Sequence, residues 1–338
     1  MTDSATADNI CAPLPWQMPA WEHLLQQLEQ GRLPHALLLC GATHIGKARF
    51  ALALARLLLC EAPHDGLNCG RCHACQLSGS GNHGDLRWLA PEDKSRVIKV
   101  DAIRALVEFS NRTAGFGLRK VAVLCPAESM NASAANALLK SLEEPSAETY
   151  LVLVSHRPHG LPATIRSRCQ AVRMAPPDSG QALAWLRQRV ADPRRSEQLL
   201  QLAAGRPLLA QKLEQEQGVE RLLDIRRVLC GLLDTSPAAV AEAGRVLDEE
   251  PLDFALAQLA DLLQRVLRGI DQDMLRAPAG RAIFLLLDEI LHIRRAVAGG
   301  SNPNGRLLLD ALVQRVQREL GSRGLGANIY PAEQGAVP

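Results

Sequence analysis

Aromatic residues make up only 3% of this 338-residue chain, too few for the rows of stacked rings on which sequence-tolerant single-strand binders hold their bases. Net charge is nearly absent as well. Lys and Arg total 38 against 36 acids, a balance of +2, so any contact with nucleic acid must come from a local patch and not from a whole-molecule field. No apolar run approaches the ~18 residues that would span a bilayer, and no membrane partner is expected. Met1 to Pro15 lacks a basic start and a long apolar stretch, so no secretory signal is read and a cytoplasmic location is expected. Hydrophobic residues at 47% and charged residues at 22% are ordinary globular values, and the length suggests two or three domains.

The first half alternates short apolar runs with amphipathic stretches, the pattern of a parallel sheet covered by helices. Strands are predicted at Ala36–Cys40, Leu86–Ala90, Lys120–Leu124 and Tyr150–Val154. Helices are predicted at Ala48–Leu59, from about Asp101, which is read as a cap, and at Ala132–Glu143, where Pro145 stops the helix. Beyond Pro176-Pro177 the strand signals vanish. Short helices at 179–190, 196–203 and 207–216 suggest a small lid, and longer amphipathic helices from about Val219 to Leu320 suffice for an independent bundle. The Gly- and Pro-rich end reads as a frayed tail.

Gly41-Ala42-Thr43-His44-Ile45-Gly46-Lys47-Ala48 has the spacing of a phosphate-cradling P-loop, G-x-x-x-x-G-K-[ST], except at its last position. In that motif the backbone N–H groups wrap phosphates, the lysine reaches the outer phosphates and the hydroxyl holds Mg²⁺. A methyl group cannot. Hydrolysis also needs acids at the end of a neighbouring strand, yet Val121-Ala122-Val123-Leu124 runs into Cys125-Pro126 where an Asp-Glu pair would stand. Gly41, Gly46 and Lys47 are therefore candidate nucleotide contacts without the metal chemistry, and whether ATP or ADP occupies the loop stays open.

Cys60, Cys69, Cys72 and Cys75 form C-x8-C-x2-C-x2-C on a stretch broken by Pro63, Gly66 and Gly70. Four thiolates close a tetrahedral Zn²⁺ site and leave no open position for water, so the predicted metal is structural. His73 lies between two of the ligands and is an alternative donor. The remaining cysteines, at 11, 40, 125, 169 and 230, are scattered and read as small core residues.

Asn136-Ala137-Leu138-Leu139-Lys140-Ser141-Leu142-Glu143-Glu144-Pro145, followed by Ser167-Arg168-Cys169, resembles bacterial clamp-loader subunits of the AAA+ superfamily. Arg32-Leu33-Pro34-His35-Ala36 and the four-cysteine insertion fit the same family. The resemblance implies an α/β P-loop domain with a parallel sheet over 1–175, carrying the zinc module at 60–75. It further implies a helical lid over 176–217, an all-α collar for oligomerisation over 218–325 and a tail over 326–338. The damaged nucleotide site points to a non-motor member, because the motor subunits gamma and tau carry an intact GKT or GKS and an Asp-Glu pair. Such a member belongs to a DNA polymerase assembly, has no ATPase of its own, and works with gamma or tau and delta to place a sliding clamp on primed DNA.

By the same resemblance Arg168, framed by Ser167 and Cys169, acts in trans on the neighbouring motor's ATP, with Arg166 a second candidate. Ser155 stands at the family's sensor position, and Leu208 stands where a lid arginine is expected. The rival reading is a true P-loop ATPase that recruits its acids from unusual places, such as Glu128 or Glu143. A zinc enzyme acting on nucleic acid fits less well, since four protein ligands leave no catalytic position.

Overall fold

The computed structural model describes residues 9–92, 97–117, 119–216, 218–234, 236–298, 301 and 303–321. The tail expected over 326–338 lies outside these. Two compact units divide the chain, residues 1–212 and 213–338.

The first unit is built on a five-stranded parallel sheet in the order β2-β3-β4-β1-β5. Its strands are β1 (Ala36–Cys40), β2 (Leu86–Leu89), β3 (Lys120–Leu124), β4 (Thr149–Ser155) and β5 (Gln170–Arg173). The three inner strands are apolar at nearly every position because both faces of a parallel sheet are covered. Period-two alternation then sorts the side chains. Leu37, Leu39, Val121, Val123, Val152 and Val154 face one core with Phe50, Leu54 and Trp21. Leu38, Ala122, Leu124, Leu151 and Leu153 face the other with Ile103, Leu106, Leu138 and Leu142.

The helices supplying these cores are α1 (Met18–Glu29), α2 (Lys47–Leu59), α4 (Val100–Asn111) and α5 (Ala132–Glu143). Asn131 caps α5, accepting the N–H of Ala134 at 2.8 Å. Asp101 does not cap α4. Lys99 takes the cap position with no side-chain bond, and Asp101 sits in the first turn, where the positive end of the helix dipole still favours its charge. The cysteine insertion is not all loop either, since it carries a short helix, α3 (His73–Gly79), capped by Cys72. The unit ends with α6 (Ala163–Arg166), α7 (Ser179–Arg187) and α8 (Pro193–Leu202), and α9 (Pro207–Gln215) spans the division between the units.

The second unit is helical throughout its described residues: α10 (Gly218–Gly231), α11 (Pro237–Asp248), α12 (Leu252–Gly269), α13 (Gln272–Arg276), α14 (Pro278–Ala298) and α15 (Gly305–Leu320). In α12 Leu256, Leu259, Leu263 and Val266 recur at helical spacing and are all buried. They join Ile283, Leu286 and Ile290 of α14 and Leu312, Val313 and Val316 of α15 in a core belonging to this unit alone.

Candidate functional site

The loop between β1 and α2 carries the P-loop residues, and glycine is demanded at both ends. A Cβ on Gly41 would come within 2.5 Å of the Met174 carbonyl oxygen. Gly46 has φ +89, a left-handed conformation open to glycine, and α2 begins at the next residue. Lys47, only 2% exposed, turns its ammonium back into the loop. Nζ donates to the Gly41 carbonyl at 2.8 Å and to the Ala42 carbonyl. Burial, opposed by the Glu128 charge and by Cys125 and Cys40, brings the Lys47 pKa down to about 8. Ala48 follows it, exposed, with no hydroxyl to offer.

Residues that no motif flagged close over the loop. The Trp16 ring nitrogen and the Gln17 side-chain amide both donate to the Ile45 carbonyl, at 2.9 and 3.0 Å. Leu14 and Leu208 crowd Gly46, where a Cβ would meet their methyl groups at 2.3 and 3.4 Å. Leu208, at the position expected to hold an arginine, thus brings a hydrocarbon to the loop. The guanidinium that does reach it is that of Arg206, whose Nη1 donates to Thr43 Oγ1 at 3.3 Å. Burial, Arg206, Lys212 and Lys47 together hold the His44 pKa below its usual value, which identifies the surroundings as cationic.

Of the acids considered for a metal, Glu143 is engaged elsewhere and Glu128 has committed one of its two oxygens. Glu128 lies in the turn after β3, and its Oε1 accepts the backbone N–H groups of His156 at 2.9 Å and Arg157 at 3.2 Å. It therefore pins the exit of β4. Its Oε2 and His156 Nδ1 are buried without a partner, and burial together with the Lys47 charge keeps the His156 pKa low. Ser155, wholly buried, accepts the Arg157 N–H on its hydroxyl at 3.2 Å. Glu143 instead meets Arg168. Arg168 Nε donates to Glu143 Oε1 at 2.7 Å, Nη2 contacts the same oxygen, and Nη1 donates to the Thr164 carbonyl at 3.0 Å. Arg166, at the end of α6, is exposed, and Cys169 is half-buried, its thiol pushed up to about 12 by burial and the neighbouring Cys40.

The four cysteines of the insertion converge. Their Sγ atoms all lie within 4.8 Å of one another, and the pairs 60–75, 60–72 and 69–75 stand at 3.7, 3.9 and 4.0 Å. A tetrahedron with Zn–S bonds of about 2.3 Å has S···S edges of about 3.8 Å, so the cluster fits a zinc ion. The sulfurs are also supported from outside. Backbone N–H groups of Cys69, Cys72 and Cys75 donate to Cys60, Cys69 and Cys72, and Asn68 donates to Cys75 at 3.3 Å. Gly70, at φ +73, turns the chain between two ligands. His73 is not among the converging donors; its ring packs edge-on against Phe116 at 6.1 Å.

The family described as DNA polymerase III, delta subunit, matches residues 16–178. The DNA polymerase III subunit delta-prime of Pseudomonas aeruginosa is 37% identical over 321 residues, covering 88% of this chain and 95% of that protein. The same-named subunit of Escherichia coli K12 is 32% identical over 323 residues, covering 90% and 96%. Among solved structures, a DNA polymerase III gamma subunit-related protein of Thermotoga maritima superposes with a TM-score of 0.53 at 21% identity, covering 88% of this chain and 99% of that one. That likeness is one of fold.

Proposed function

The chain belongs to the family of DNA polymerase III delta-prime subunits, and from that premise we propose that it is a non-motor member of the clamp loader. In this reading it assembles with gamma or tau and delta, helps place the sliding clamp on primed DNA, and offers Arg168 to the ATP of an adjoining motor. The observation that carries the reading is the state of the loop itself. The Lys47 ammonium bonds to carbonyls of its own loop, Ala48 has no metal ligand, and Glu128 is engaged with the backbone at the end of β4. A site arranged in this way has the scaffold of a P-loop without the hydroxyl and the paired acids that organise Mg²⁺ and water.

Retention of Ser167-Arg168-Cys169 is then accounted for by service in trans, where an arginine finger accelerates turnover roughly 10³ to 10⁵ fold. A structural zinc held by Cys60, Cys69, Cys72 and Cys75 would stiffen the insertion. The proposed division is a P-loop domain over 1–175, a lid over 176–217 and a collar over 218–325. Gly41, Gly46 and Lys47 would contact any nucleotide held without turnover.

Two measurements test the reading. The isolated chain is expected to show no Mg²⁺-dependent ATP hydrolysis; turnover abolished by Lys47→Ala would restore the rival ATPase. In the loader reassembled with gamma and delta, Arg168→Ala lowers ATP turnover strongly while the complex still forms. Unchanged turnover would remove the finger.

A further inference from the structure

We infer that Glu143 is a positioning residue for Arg168, holding the guanidinium so that its end-on pair of N–H groups faces outward. The inference rests on the reading of Arg168 as a trans-acting finger and adds to it the group that aims it. A guanidinium has five N–H donors in a rigid plane. Glu143 Oε1 accepts the Nε–H and forms an ion-pair contact with Nη2, and the Thr164 carbonyl accepts one hydrogen of Nη1. Ser167 Oγ, 3.5 Å from Nη1, is too distant to hold the remaining one firmly. Each terminal nitrogen keeps at least one N–H outside these bonds, and Nη1 and Nη2 together form the end with which arginine grips a phosphate bidentately.

The chain fixes the carboxylate as well as the guanidinium. Glu143 is the last residue of α5, whose helix is stopped by Pro145 two positions on. The preceding carbonyl, that of Leu142, lies 2.9 Å from His35 Nε2, and because a carbonyl can only accept, Nε2 carries the hydrogen. His35 immediately precedes β1, so the helix end bearing Glu143 is tied to the start of an inner strand. Thr164, on α6, braces the opposite side. Arg168 is one-third exposed and Glu143 about half, and an ion pair so open to water adds little to stability. A geometric duty accounts for the pair better than a stabilising one.

The test uses the loader reassembled with gamma and delta and compares native protein with Arg168→Ala, Glu143→Ala, Glu143→Gln and the Arg168→Ala/Glu143→Ala double variant. Glu143→Ala is expected to lower the kcat of ATP turnover on the order of tenfold, with the KM for ATP unchanged, as a misaimed group does. Glu143→Gln keeps an accepting oxygen and recovers part of the loss, and the double variant is no slower than Arg168→Ala alone. Native-like turnover in Glu143→Ala beside a slow Arg168→Ala would overturn the positioning role and leave the finger standing. An unchanged Arg168→Ala would overturn both. A further loss in the double variant, or a large drop in melting temperature or assembly for Glu143→Ala, would mean that Glu143 acts otherwise than through Arg168 and would likewise overturn the inference.

Discussion

Lys47 is a cation buried among the carbonyls of its own loop, and its position has a pH signature. Its folded pKa of about 8 lies below the ordinary 10.5, so between these values the unfolded chain holds a proton that the folded chain has released. Stability attributable to this residue therefore rises as pH climbs from about 8 to 10.5, and its burial cost is fully present below that window. Chemical denaturation across the window should show a rise in the native protein, on the order of a few kcal/mol at most, that Lys47→Met lacks. The spacing of Gly41, Gly46 and Lys47 was readable because a P-loop needs those residue types at those intervals. Where the ammonium points was not, because Gly41 and Ala42 supply its partners through backbone carbonyls that no side-chain pattern records. Glu128 was legible as the acid nearest the missing pair and Arg168 through the resemblance carried by Ser167-Arg168-Cys169, while their partners at His156, Arg157 and Glu143 were hidden by sequence separations of 25 or more.

At the level of elements, inner strands announced themselves and edges did not. Lys120–Leu124 and Ala36–Cys40 are continuous buried runs, whereas β5 has Val172 as its only buried side chain and pairs with β1 alone, so its sequence Gln-Ala-Val-Arg carries almost no signal. Helix α1 did carry one, Trp21, Leu24, Leu25 and Leu28 at helical spacing, obscured by Pro15 and Pro19 at its start. The cysteine cluster gives a direct test. The protein purified under reducing conditions should contain one zinc per chain by elemental analysis, and Cys75→Ser should lose it together with protease resistance across residues 60–79. The cap of α5 gives another. Asn131→Ala should cost about 1 kcal/mol in denaturant unfolding, since the Ala134 N–H loses its acceptor, and Asn131→Asp should keep most of it.

For the whole molecule, both units leave some large apolar side chains uncovered, and the most exposed of them lie in the second. The second encloses its own core yet leaves Leu285 65% and Leu307 69% exposed, with Phe284 also uncovered, on helices whose opposite faces are packed. Such side chains suit a surface that other loader subunits cover. Leu285→Asp with Leu307→Asp should leave unfolding within about 0.5 kcal/mol of native, as exposed positions do, while weakening co-elution with gamma and delta in size-exclusion chromatography. Equal co-elution would move the proposed subunit contact elsewhere on the bundle. The helical character of this half was visible in its periodicity, but which of several apolar stripes stayed uncovered was not, because burial depends on how the helices pair and not on any one of them.

The grip of Glu128 on the chain leaving β4 has a corollary for any repair of the loop. Returning a threonine to position 48 would restore a hydroxyl, yet the nearest acid has only Oε2 uncommitted, since its other oxygen accepts two amide hydrogens that keep the following segment in place. A metal-binding loop would therefore need more than one change, because the carboxylate beside it already has a fixed orientation.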